Sequence, residues 1–293
     1  MEQGQSAEEG QNMDGADAAD LFSGFTEPLV PFPYLVALIL LALPLATFLG
    51  FHLGNREYHR RGYGKMPSEQ IPGGTSLGAM LALLGLLLGF AFSSALGWRE
   101  ARQSALVEEA AAISTAFLIA NLLDDPGRTD LQVRILTYAE TRLAASGDIR
   151  TRQAWTAFLA RTLEAQADIW PATMRAMDAA TSDPIRTAVA RSVTEMLDAH
   201  TRRIAAAAEQ IPPPAKLMIF FVSVVAILIL GNRSALQGRP LTWRPFVFAG
   251  VLSIVMIIIF DLDRTLEGTM QVNPDTLRVT IHEMETALSI RSE

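Results

Sequence analysis

Four histidines, His52, His59, His200 and His282, are the only imidazoles in the chain, and cysteine is absent. Acid–base or metal chemistry would have to begin from them. None stands in an HExxH spacing, which sets two imidazoles on one helical face around a carboxylate, and His282-Glu283 alone makes no metal site. No serine occupies a nucleophile elbow, and no glycine-rich phosphate loop follows a strand. The lack of cysteine removes disulfides and thiolate ligation. An enzyme is the poorest reading. No catalytic residue, cofactor site or metal site is expected.

Two other constellations can act on neighbouring helices or on ions. Gly78, Ala82, Gly85, Gly89, Ser93 and Gly97 form a small-residue stripe that includes Gly85-x-x-x-Gly89. Such stripes let helices approach closely and gain van der Waals contact. Two packings fit it: against helices of the same chain, or between subunits around an axis. In the second, the adjoining Leu86 and Phe90 would face a central pathway as an apolar constriction, which gates by dewetting. The second group is charged. Arg99, Glu100 and Arg102 follow one apolar block, and Asp261, Asp263 and Arg264 follow another. These residues either lock helix ends in pairs or line a mouth that selects ions by charge. Glu108-Glu109 with Asp261 and Asp263 would supply oxygens for calcium, but nothing in the sequence fixes their geometry.

The elements that must position these residues are apolar. Half of the 293 residues are hydrophobic, collected in four blocks, Tyr34–Gly54, Leu77–Trp98, Ile211–Gly231 and Pro245–Phe260. A bilayer core needs about 20 apolar residues in a helix. The first two blocks meet that outright. The third does so if Lys216 snorkels from a start near Pro214, and the fourth if extended through Leu241 and Trp243. The expected fold is all-α. Four spans are joined by a long second helix and an inserted antiparallel helical bundle between spans 2 and 3. The divisions are an acidic, disordered tail (1–33), a membrane hairpin (34–98), the helical insert (99–210), a second hairpin (211–260) and a C-terminal tail (261–293). Spans 1 and 3 end in the same triplet, Gly54-Asn55-Arg56 and Gly231-Asn232-Arg233, with glycine closing each helix.

Orientation follows from short loops, where lysine and arginine mark the cytoplasmic side. Loops Asn55–Thr75 and Asn232–Arg244 hold seven basic residues and the N-terminal tail none. Both loops are therefore expected inside, with the tail, the insert and the C-terminus extracytoplasmic. Tyr34 and Trp98 would mark the outer interface and Trp243 the inner. A net charge of -7 argues against a nucleic-acid partner.

Within the insert, Leu106, Ala110, Ile113, Phe117 and Ala120 keep helical spacing, and nothing breaks the helix after Trp98. The second span is thus expected to continue unbroken from about Ser76 to Leu123. Asp124-Asp125-Pro126-Gly127 stops it and offers an aspartate cap and a first-turn proline to the next helix. Leu131, Ile135, Tyr138 and Arg142 mark one further face. Trp155, Leu159, Thr162, Gln166 and Trp170 mark another, with a break or kink at Pro171. Ile185, Val189, Ser192, Met196, His200 and Ile204 mark a third, opened by Ser182-Asp183-Pro184 and stopped by Pro212-Pro213-Pro214.

Leu88-Gly89-Phe90-Ala91-Phe92 followed by Gly97-Trp98-Arg99 resembles the second membrane helix of bestrophins, which are pentameric anion channels. By matching position, Phe90 and Leu86 fall on the apolar neck, while the third neck position falls on Ala82, implying a wider or differently placed neck. Val107-Glu108-Glu109-Ala110, Ile113-Ser114-Thr115-Ala116, Asp261-Leu262-Asp263-Arg264 and Gly268 are similar to segments of a bacterial bestrophin-like membrane-protein family, a domain of unknown function. That family has Pro-Phe where this chain has Thr265-Leu266, so no binding role is borrowed from that loop. The layout of four spans and one insert matches from about Tyr34 to about Val279. True bestrophins hold the insert in the cytoplasm, opposite to the charge bias here, and the charges are followed. The expectation is a multi-pass protein of the bacterial inner membrane. Its partners would be the lipid bilayer, further copies of itself as a homo-oligomer, and small anions if it conducts. The alternative is a non-conducting anchor or sensor that presents its bundle to an unidentified protein partner.

Overall fold

The computed structural model describes residues 30–61, 74–143, 152–178, 181–264, 269 and 272–292, and all its regular elements are helical. They are α1 (Phe32–Arg61), α2 (Gly74–Ile119), α3 (Gly127–Arg142), α4 (Arg152–Ala176), α5 (Asp183–Ala208), α6 (Pro213–Leu236), α7 (Trp243–Asp263) and α8 (Asp275–Ser292). The acidic tail, Lys65, Thr265, Leu266 and Gly268, and the side chains of Trp155 and Leu159, lie outside the described residues. Four helical stretches are long and apolar enough to cross a membrane: Phe32–Arg60, Gly74–Leu122, Asp183–Leu236 and Trp243–Asp263.

The chain divides into two compact units. One comprises Pro28–Arg99 with Gln210–Met270, the other Glu100–Glu209 with Gln271–Glu293. In the first unit the apolar faces of α1, α2, α6 and α7 share a core built from Ile39, Leu43, Leu84, Leu88, Ile227 and Met256. Its buried hydroxyls are satisfied within their own helices: Ser223 donates to the Ile219 carbonyl and Ser253 to that of Ala249, each at 2.8 Å. In lipid no water would take those bonds.

Glycine has a different job here from the one its position at the block ends suggests. α1 continues past Gly54 to Arg61 and α6 past Gly231 to Leu236, so neither glycine closes a helix. They are where α1 and α6 cross. A Cβ on Gly50 would overlap the Leu228 carbonyl, one on Gly54 that of Asn232, and one on Gly231 that of Thr47. Only glycine permits such backbone approach. The glycine that does close α6 is Gly238, whose φ of 65° is left-handed.

α2 is unbroken for 46 residues, about 69 Å at helical rise, and tightens into a 3-10 turn at Ala120–Leu122. That matches the continuity expected across residues 97–106. In the second unit its far end is held by Gln132, whose amide donates to the Phe117 carbonyl and to Asn121 Oδ1, both at 3.0 Å. A buried side chain thus takes a carbonyl that the helix end leaves free. The surrounding core contains Ile113, Phe117, Leu131, Ile135, Tyr138, Ile169, Met196 and Leu277.

Three local expectations need correcting. Asp125 and Pro126 precede α3, with Pro126 in the capping position rather than the first turn, and no side chain caps that end. The Asp125 carboxylate instead takes the Thr129 hydroxyl at 2.7 Å. α4 runs through Pro171 without a break. Its buried face passes through Thr162, Ile169, Thr173 and Ala176, whereas Trp170 is exposed. Spacings of 7, 4 and 3 hold one stripe, and Trp170 is turned about 100° from Ile169 on a helix of 3.6 residues per turn.

Candidate functional site

The stripe on α2 is open. A Cβ added at Gly78, Gly85, Gly89 or Gly97 would meet nothing within 4 Å. Ala82 and Ser93 are exposed on the same side, and so are Leu86 (55 %) and Phe90 (65 %). The face that α2 turns to its own chain is the opposite one, Leu77, Leu84, Leu88, Ala91 and Ala95. Among the described residues nothing packs on these four glycines, whereas glycines of α1 and α6 lie against the backbone of the facing helix.

The residues proposed as mouth charges separate into helix-end contacts. Asp263, at the end of α7, is fully buried. It accepts the Ile211 backbone N–H at 2.6 Å and pairs with Lys216. The reason is local: residues 212–214 are prolines, so Ile211 offers the last free N–H before α6, and Lys216 sits near the positive end of that helix's dipole. Asp263 offsets both. Asp261 accepts the Thr269 N–H at 2.9 Å and its hydroxyl. Arg264 donates to the Val30 carbonyl at 2.6 Å and lies 5.4 Å from the Phe32 ring centroid, which ties the end of α7 to the start of α1. Arg102 is buried and donates to the Glu209 carbonyl at 3.3 Å, and Arg99 is half-buried.

The most concentrated chemistry lies elsewhere, in a cluster centred on Glu109 of α2. Its side chain is fully buried. Arg142 Nε donates to Oε1 at 3.1 Å, His200 Nδ1 lies 3.3 Å from the same oxygen, and the Tyr138 hydroxyl lies 3.4 Å from it. Arg203 pairs with Oε2. Burial works to raise the Glu109 pKa, but the His200 hydrogen bond and the Arg142 and Arg203 charges outweigh it, holding the carboxyl well below the usual range. Burial, against the pull of Glu109, moves His200 below its ordinary value. Burial and the Glu109 charge push Tyr138 up, so its hydroxyl stays protonated.

Glu109 is thus engaged by two guanidiniums, an imidazole and a phenol, and Asp261 and Asp263 are engaged as described. Among the described residues no group of three or more histidine, aspartate or glutamate side chains could hold a metal. The cluster was missed from the sequence because each member reads as part of an apolar face. The available signal was an arginine, Arg142, and a histidine, His200, at core positions of α3 and α5, with Glu109 between Leu106 and Ile113. Three ionisable groups on three buried faces call for one another.

Neither curated proteins nor solved structures match the chain. A family model does: the Bestrophin-like domain matches residues 42–277, which takes in most of the first apolar helix, the other three, and the bundle except most of α8. With this layout and that match over most of its length, the chain belongs to the bestrophin-like family of membrane proteins.

Proposed function

We propose that the chain assembles with copies of itself around α2 to form an anion pore, with Leu86 and Phe90 as its apolar constriction. The observation that carries the reading is the open face of α2, where, among the described residues, four glycines meet nothing and Ala82, Ser93, Leu86 and Phe90 are exposed. Membership of the bestrophin-like family supports it. A ring of leucine and phenylalanine too narrow for a continuous water column blocks ions until it widens. Chloride efflux from proteoliposomes should therefore rise several-fold when Leu86→Ala and Phe90→Ala are combined. Inserted protein that gives no flux in either form would leave the second reading, a non-conducting anchor or sensor. The exposed Leu118, Trp170 and Met174 on the extramembrane unit favour that reading, since they offer a partner apolar surface.

The basic loops support a cytoplasmic-membrane protein with its insert outside. In intact cells a membrane-impermeant maleimide should label the Ser146→Cys variant and spare Ser68→Cys. The reverse pattern would put the bundle in the cytoplasm, as in bestrophins.

A further inference from the structure

Ion conduction makes no use of the Glu109 cluster, and its charges do not balance. Among the described residues one carboxylate faces two guanidiniums, the buried Arg142 and the half-buried Arg203, around an uncharged His200, so positive charge outweighs negative there. Because the ionised Glu109 can only accept, His200 must carry its proton on Nδ1 and donate it, so Nε2 is the atom free to take another. The groups facing the imidazole come from every helix of the cluster: Glu109 from α2, Tyr138 and Arg142 from α3, and Arg203 from its own helix. Tyr138 meets it edge-on, 6.2 Å between ring centroids. Further out, Arg202 is already committed to Glu195 and Glu108.

A second proton on His200 would set a third cation around a single carboxylate that already pairs with two guanidiniums. Two of those cations would lie on α5 and one on α3, so the repulsion acts between these helices. The place where it acts has no buried side chain after His200 to hold it. The buried residues of α5 are Val189, Ser192, Val193, Met196, Ala199 and His200, and none follows His200. Beyond that point its contacts with α2 include the Arg203–Glu109 pair, the exposed Arg202–Glu108 pair and the Glu209 carbonyl, taken by Arg102.

We propose that His200 is a proton sensor whose charging releases the C-terminal part of α5 from α2 and α3. The released segment binds the proton more readily than the packed one, so opening is favoured as pH falls through about 6.5, the ordinary histidine value. With one proton linked to the opening, the opening constant rises by at most about tenfold per pH unit.

The test is amide hydrogen exchange of the full-length protein in detergent between pH 7.5 and 5.5, expressed as protection factors to remove the intrinsic pH dependence. Amides of residues 200–208 should lose protection as pH falls, while those of 189–196 keep theirs. In His200→Asn, which retains a donor near Nδ1 but does not titrate, protection should be flat across that range. If this variant does not fold, His200→Gln provides the same comparison. The proposal is overturned if protection is flat in the parent protein, or if the non-titrating variant loses it equally. Neither outcome depends on whether the protein conducts ions, so the result is separable from that of the flux experiment.

Discussion

Glu109→Gln is expected to cost the extramembrane unit about 3–5 kcal/mol, because it removes, among the described residues, the anion that faces the buried Arg142 guanidinium and the half-buried Arg203. Against a domain stability of about 5–15 kcal/mol, that is a loss large enough to unfold part of the population. Arg142, with a side chain 3 % exposed, has no route to water that would relieve it. Replacing the triad together, Glu109→Leu with Arg142→Met and Arg203→Met, should recover most of the loss, since a buried ion cluster is seldom more stable than a well-packed apolar one. Thermal unfolding followed by circular dichroism distinguishes the cases, and a single variant that melts like the parent would remove the cluster as an anchor. The parent should also weaken in acid. Glu109 has a folded-state pKa below its unfolded value, so its contribution is present above about pH 4.5 and is lost as pH falls further. His200 shifts in the same direction and adds a loss that begins nearer pH 6.5.

The second large effect separates two sets of glycines that look alike on paper. Gly50→Ala and Gly231→Ala each force a methyl group into a carbonyl of the facing helix, so α1 and α6 must move apart. Overpacking of this kind costs about 1–3 kcal/mol, and more where backbone rather than side chain must yield. Gly85→Ala and Gly89→Ala place the same methyl in open space. For the isolated subunit they should be neutral, or stabilising by up to about 1 kcal/mol through helix propensity. Size-exclusion chromatography after heating should show the first pair lost from solution at lower temperature than the parent and the second pair not. A change of elution volume in the second pair, without a change in melting, would be the mark of a face that meets another copy. Equal losses in both pairs would mean that the open face of α2 is covered by something the subunit needs in order to fold.

Much of the architecture was legible because it depends on composition and period alone. A membrane core imposes a length on any apolar helix, so four blocks of about 20 residues announced four spans before any contact was known. Continuity of α2 was equally legible: helical periodicity persists after Trp98 and no proline interrupts it until Pro126. Resemblance around Leu88–Phe92 pointed to the family on a stretch that the fold divides between the two sides of α2, Leu88 and Ala91 buried, Gly89, Phe90 and Phe92 exposed. What period could not supply was direction. The sequence marks a stripe of small residues on α2 and two glycines at matching places in α1 and α6, yet it does not say which face meets which helix. That is decided by tertiary packing, where backbone approach leaves room for a Cβ at Gly85 and none at Gly50.

The charged residues divide in the same way. Asp261, Asp263 and Arg264 stood out because ionised groups are rare beside an apolar block, but their partners, Thr269, Ile211, Lys216 and Val30, are up to 234 residues away in the chain. Glu109 stood out only as an oxygen donor beside Glu108, and Tyr138, Arg142 and His200 only as members of helical faces, since each sits where a core residue belongs in its own helix. A charge in a core is costly alone and tolerable when paired. The sequence by itself determined that four helices cross the bilayer and that one of them runs on into a bundle. Only the tertiary structure decided that a carboxylate on that helix meets two guanidiniums and an imidazole, because the energy of a buried charge depends on neighbours that two other helices bring to it.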